Sequence, residues 1–177
     1  MKKIVYIILS IVITGFYSCE TDYDAEGQGV FLEDVPKYVA YYVPGAGSSL
    51  APIEVDEDAG DTGDDINVQI PGGTLSNVNV SYTFGGDAVF GIDFTVAGAT
   101  SAGGTVTIDY NNTPNVDGRA FNEDIVVQIL EDGVVDGEKT LTITLTSASN
   151  AEGDIAVGRA GTDLLKTATV IISDIDE

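Results

Sequence analysis

The chain has no histidine and no tryptophan, a single cysteine, and only 7 lysines and arginines among 177 residues. Each shortage closes off a class of chemistry. Without histidine there is no imidazole general base and no imidazole metal ligand. With one cysteine there is no intrachain disulfide, so the fold must rest on its own core or on a metal. With so few bases there is no cationic patch to hold nucleic-acid phosphates or anionic lipid headgroups. No nucleophile elbow of the form G-x-S-x-G and no phosphate-binding loop occurs. After the N-terminal apolar run, no segment keeps helical periodicity over three turns.

What the chain has in excess is acid: 29 aspartates and glutamates, for a formal net charge of −22. The N-terminus reads as an export signal. Lys2 and Lys3 precede an apolar run over residues 4–17, and those 14 residues fall short of the ~20 that a spanning helix needs. Phe16-Tyr17-Ser18-Cys19 is similar to the lipobox of bacterial lipoproteins, although that pattern prefers Leu first. Residues 1–18 are therefore expected to be a lipoprotein signal peptide, with Cys19 lipidated. The alternative is an ordinary secreted protein with one spare thiol. Cleavage would remove Lys2 and Lys3 but no acid, leaving 5 bases against 29 acids, a net charge of −24. Residues 19–36 read as a tether, acidic at Glu20, Asp22, Asp24 and Glu26 and without periodicity. This acidic start resembles the signal that sends Bacteroidetes-type lipoproteins to the cell surface; it is equally readable as a solvated spacer. The expected location is the cell envelope, as an outer-membrane lipoprotein with possible surface exposure.

From residue 37 to 177 the pattern is that of one β domain. Val39, Tyr41 and Val43 share a parity, and the tyrosines at 38, 41 and 42 read as part of a first strand packed on the domain. Alternating sets recur at Ile53 and Val55; at Ile66, Val68 and Ile70; at Val78, Val80, Tyr82 and Phe84; and at Val106, Ile108 and Tyr110. Residues 125–130 are nearly all apolar, as in a central strand. Leu141, Ile143 and Leu145 alternate with threonines, and Ala168, Val170 and Ile172 close the set. Pro71-Gly72-Gly73 and Gly103-Gly104 read as turns. Period-2 patterning with Gly, Asn and Asp punctuation predicts an all-β fold, an immunoglobulin-like antiparallel β-sandwich of about seven strands.

Acidic stretches fall at alternate strand ends. An up-and-down path places residues 54–65, Asp87, residues 131–138 and the closing Asp174, Asp176 and Glu177 at one pole. An extra strand near 92–96 would reverse everything upstream, but the meeting of loop 131–138 with the C-terminus needs only three consecutive strands. The loops assigned to the opposite pole, 111–124 and 147–166, hold Arg119, Arg159 and Lys166. Carboxylates within ~4–6 Å raise one another's pKa unless a cation intervenes. Ca²⁺ accepts many oxygens from flexible loops. Glu131, Asp132, Asp136, Asp174 and Asp176 are thus candidate metal ligands; the alternative is a solvated acidic surface. Loop 131–138 departs from the EF-hand pattern, because Val134 stands where Asp or Asn is needed.

Five ordered motifs over residues 53–177 are similar to those of the Calx-beta family. They are V-D-E-D-A-G at 55–60, V-S-Y-T at 80–83 leading to G-I-D-F at 91–94, G-T-V-T-I at 104–108, I-L-E-D at 129–132 with D-G-E at 136–138, and A-T-V-I-I-S-D at 168–174. The resemblance implies a Ca²⁺-binding sandwich with Glu57 as an entry ligand. It also implies Glu131, Asp132, Asp136 and the Val134 carbonyl in the central loop, with Asp174 and Asp176 at the end and Glu138 as a possible supplement. Ile175 replaces the middle acid of the family's terminal triplet, and Gly85 falls near a family Asp, with Asp87 a poor substitute. One or two ions are implied. Asp93, despite its motif, is read as structural.

These readings give a lipid-anchored, Ca²⁺-binding module without catalytic activity, suited to adhesion or to docking an envelope protein or glycan. The alternative is a protein- or glycan-binding sandwich without metal. A glycoside-acting enzyme built on paired carboxylates is the third reading.

Overall fold

The computed structural model describes residues 37–44, 47–62, 66–110 and 120–176, all within the compact unit Pro36–Glu177. The expected signal peptide (1–18) and the tether with Cys19 (19–36) lie outside the described residues. The domain is an all-β sandwich. Its strands are β1 (Tyr38–Tyr41), β2 (Ile53–Asp56), β3 (Asn67–Thr74), β4 (Val78–Gly86), β5 (Phe94–Val96), β6 (Gly104–Ile108), β7 (Ala120–Asp124), β8 (Val127–Ile129), β9 (Lys139–Asn150), β10 (Gly153–Val157) and β11 (Thr167–Ser173). Hydrogen bonding runs continuously through β2-β11-β9-β10-β1-β3-β7, with β4 joining β9 to β6 and a separate β5–β8 ladder.

The two arms of this path close over one core. Val39 and Tyr41 of β1, Val68 and Ile70 of β3, Val78 and Val80 of β4, Leu141, Ile143 and Leu145 of β9 and Val170 of β11 are fully buried. Each such side chain contributes roughly 1.5–3 kcal/mol on leaving water. Tyr41 crosses between the arms, its hydroxyl donating to Ile143 O at 3.0 Å, so its phenol is buried with a partner. Burial pushes that phenol well above the ordinary tyrosine range.

The described residues form eleven strands where about seven were expected, in part because three connections read as loops, 85–103, 111–124 and 147–166, contain the short strands β5, β7 and β10. In the 111–124 connection β7 pairs with β3; residues 111–119 are outside the described residues. In the 147–166 connection β10 pairs with β9. Strand β9 runs on to Asn150 because the register against β4 slips between Ser81 and Tyr82. That slip moves the inward parity from Leu141, Ile143 and Leu145 to Ala148, so simple alternation ends near residue 146 while the strand continues. Segment 125–130 is not a central strand: β8 is three residues long and forms its ladder with β5. Pro71-Gly72-Gly73 is no turn but part of β3, where the register against β7 shifts, and Pro needs no ladder partner there. Among the described residues two ladders, β1 with β10 and β2 with β11, are parallel, and the other ladders are antiparallel.

Strand directions deliver the acidic segments to one end. Strand β9 runs away from that end, so antiparallel β4 and β11 run towards it, as does β2 beside β11. Strand β5 is the extra strand near 92–96, yet it reverses nothing. It runs antiparallel to β8, away from the acidic end, and β6 runs the same way beside β4.

Beneath that end lies an aromatic pedestal. The Phe94 ring meets Phe84 edge-on at 5.0 Å and Phe90 at 5.6 Å, and Phe84 and Phe90 stack at 5.8 Å. These contacts fix the 87–93 segment, and with it Asp87 and Asp93, on the core.

Candidate metal centre

Four chain segments meet at the acidic end. At the exit of β2, the Glu57 N–H donates to Ser173 O at 3.1 Å, tying the entry segment to the end of β11. Where β8 ends, the Leu130 N–H donates to Asp93 O at 2.9 Å, tying the central loop to the 87–93 segment. The Asp132 N–H then reaches Glu57 Oε1 at 3.3 Å, and the Val134 N–H folds back onto Asp132 Oδ1 at 2.9 Å. Asp174 accepts the N–H groups of Asp136 and Gly137 on Oδ2, at 2.8 and 2.6 Å, and that of Asp176 on Oδ1 at 2.9 Å. Three backbone donors make Asp174 the brace that joins the central loop to the C-terminal segment.

Two groups of carboxylates result. In one, Glu57, Asp132 and Asp176 each bring an oxygen within 4.8 Å of the others. In the second, Asp93, Asp132 and Asp136 do the same. Asp132 belongs to both, so two cation positions would share it. Among the described residues, neither group includes Glu131 or Asp174. Glu131 is exposed, and both Asp174 oxygens are engaged by the backbone. Val134 lies in the central loop, its side chain exposed. Asp87 is occupied elsewhere, accepting the Thr140 N–H at 2.6 Å. Asp93 enters the second group although its sequence pointed to a structural role. It has a structural role as well: its Oδ2 accepts the Val89 N–H, and the residue is 4% exposed. Its signal in the sequence was the G-I-D-F motif at 91–94.

The donor chemistry fits a hard cation. Glu57 is 6% exposed. Its Oε2 and Asp176 Oδ2 are buried with no hydrogen-bond partner. A buried acceptor left unpaired costs about 1–3 kcal/mol, more when charged. Burial, chiefly, and then the charges of Asp132, Asp176 and Asp174 push the Glu57 carboxyl up, with the Asp132 N–H opposing them. Asp174 goes the other way, held down by the N–H groups of Gly137, Asp176 and Asp136 and by Lys139. The one base here is Lys139, with Nζ 2.9 Å from Asp136 Oδ2; that hydrogen bond raises the lysine's pKa. One ammonium on the second group leaves the first, with its two orphan oxygens, uncompensated. All the donors are oxygens, the set that Ca²⁺ and Mg²⁺ take and softer metals do not prefer.

Fold and site together describe a β-sandwich with an acidic, cation-shaped pole. Solved structures similar to it include Calx domains. The apo-form Calx CBD1 domain is 19% identical, with a TM-score of 0.48, over 79% of this chain and 98% of that one. The CBD12 structure from CALX1.2 is 18% identical with a TM-score of 0.49, and the match spans 79% of this chain but 45% of that one. The calcium binding domain CBD12 of CALX1.1 is 21% identical with a TM-score of 0.46, over 80% and 45%. No family profile matches the chain, and no curated protein is similar enough to count as a relative.

Proposed function

We propose that the domain binds Ca²⁺ at its acidic pole and works, without catalysis, as a lipid-anchored module of the cell envelope. The observation that carries the calcium reading is the pair of buried, unpartnered oxygens, Glu57 Oε2 and Asp176 Oδ2, gathered with Asp132. Glu57, Asp132 and Asp176 would hold one ion; Asp93, Asp132 and Asp136 would hold a second, with Lys139 displaced. The sequence resemblance to the Calx-beta motifs supports Glu57, Asp132, Asp136 and Asp176, whereas Asp93 enters through the geometry alone. A bound ion supplies the positive charge that these carboxylates lack and joins the β2 exit, the central loop and the C-terminus into one rigid surface.

Rigidity at that surface suits adhesion or docking, and the Cys19 lipobox would hold the domain at a membrane. The test is thermal unfolding with and without Ca²⁺. At calcium about 100 times Kd, the folded state gains about 2.7 kcal/mol, which raises the midpoint by several degrees. A midpoint indifferent to both Ca²⁺ and chelator would favour the reading without metal, in which Lys139 alone offsets the acids. Radiolabelled palmitate incorporation lost in Cys19→Ser tests the anchor.

A further inference from the structure

Arg159 stands apart electrostatically. Among the described residues, Lys37, Lys139 and Lys166 each lie within 4 Å of a carboxylate, at 3.0, 2.9 and 3.6 Å. Arg159 has no such partner there, in a chain with 29 acids. Its guanidinium makes one hydrogen bond to the described residues, from Nη1 to Gly47 O at 2.8 Å. The guanidinium carries five N–H donors in a planar fork, so most of its donors are uncommitted to the described residues.

Arg159 lines a cleft of about 140 Å³ over β1 and β3, and none of the carboxylates of the acidic pole lines it. Tyr38, Gln69 and Pro71 line it as well. A water takes about 10–15 Å³ of such space, so the cleft holds roughly ten non-hydrogen atoms. That is the size of one sugar ring rather than a peptide segment.

The backbone presenting Arg159 is held in an uncommon shape. Ala160 and Leu165 adopt left-handed φ values of 54° and 55°, which non-glycine residues rarely do. Gly158 has φ 81°, and a Cβ there would meet Thr162 O at 1.8 Å, so only glycine fits. The Gly158 N–H is bound to Val39 O, the Arg159 N–H to Leu164 O, and Leu165 O accepts the Tyr41 N–H, at 2.8, 2.7 and 2.9 Å. The loop is thus fastened to β1 before any ligand arrives. Strain retained at a fixed polar group is a mark of binding sites.

We infer that this cleft binds a sugar carboxylate, a uronic acid unit, with Arg159 clamping the carboxylate, Gln69 bonding a ring hydroxyl and Tyr38 and Pro71 packing on the ring. A planar guanidinium meets a carboxylate through two parallel hydrogen bonds. The strong negative charge of the chain repels polyanions, so the ligand carries isolated acid groups, as in a mostly neutral polysaccharide. The inference is independent of calcium binding.

The test uses the full-length protein, in chelator so that no metal can bridge sugar to the acidic pole. A disaccharide ending in glucuronic acid is titrated and followed by amide and guanidinium NMR shifts, with its neutral glucose counterpart beside it. The acidic sugar should shift Arg159 and its neighbours and bind about tenfold tighter than the neutral one. Arg159→Gln should remove that preference, and Gln69→Ala should weaken binding severalfold with Arg159 intact. Equal binding of both sugars, shifts confined to other surfaces, no binding at all, or capture of an Asp-containing tripeptide in place of the sugar would each overturn it.

Discussion

Asp174 pins Gly137: its Oδ2 accepts the Gly137 N–H at 2.6 Å, across 37 positions of sequence. The same oxygen takes the Asp136 N–H at 2.8 Å, so one carboxylate closes the central loop onto the end of β11. Because these bonds favour the ionised form, the folded-state pKa of Asp174 is depressed. The stability it contributes is complete above the ordinary aspartate value and is lost as pH falls through the lower folded value. Asp174→Asn should lower the melting midpoint at neutral pH, differ little from the unaltered protein in acid, and speed hydrogen exchange at Asp136 and Gly137. Unchanged exchange at those two amides would show that the loop is held by something else.

Glu57 has the opposite sign. Its folded-state pKa is raised, so the metal-free domain holds that proton more tightly than the unfolded chain does. Its contribution to stability falls as pH rises from the ordinary glutamate value through the folded one. Glu57→Gln should therefore raise the midpoint of the chelator-treated protein at neutral pH, by roughly 2–4 °C per kcal/mol relieved. The same change should shrink the calcium-induced rise. Melting curves at pH 7 in chelator and in calcium test both halves, and a variant less stable in chelator contradicts the first.

Gly86 ends β4 with φ 96°, and a Cβ there would lie 2.0 Å from Thr140 O. The close approach lets the Asp87 N–H reach Thr140 O at 3.0 Å while Asp87 Oδ1 takes the Thr140 N–H at 2.6 Å. Gly86→Ala should cost about 2–4 kcal/mol through strain and clash. Denaturant unfolding measures it, and a cost below ~0.5 kcal/mol, the ordinary surface range, would show that the backbone adjusts.

Alternation at Val78–Val80–Tyr82 and Leu141–Ile143–Leu145 announced two strands that build the core, because one face of each is buried against it. It was silent on β7, whose A-F-N-E-D has a single fully buried residue, Ala120, and on β10, where only Ile155 is buried. Short strands held mainly by backbone pairing leave little apolar signature. The meeting of the 131–138 loop with residues 174–176 was read from three strands taken as consecutive; β10 intervenes, and the meeting holds because β11 itself pairs antiparallel with β9. Division of labour inside that pole was not legible. Asp174 spends its oxygens on backbone amides, Asp93 is drawn in by the turn that its own carboxylate closes at Val89, and Glu131 points to solvent. Composition assigns all three the same charge; only the fold distinguishes them.

Asp132 is the carboxylate common to both groups, whereas Asp136 belongs to one and also pairs with Lys139 at 2.9 Å. The two substitutions should therefore separate. Asp132→Asn removes a ligand from each position and should abolish both calcium binding by calorimetry and the calcium-induced rise in midpoint. Asp136→Asn leaves Glu57, Asp132 and Asp176 intact and frees the Lys139 ammonium, so a first binding event should survive while any second is lost. The second event must displace that ammonium in the unaltered protein, which makes it the weaker of the two and the more sensitive to salt. If Asp136→Asn removes all binding while Asp132→Asn spares it, the sharing of Asp132 between two positions is wrong.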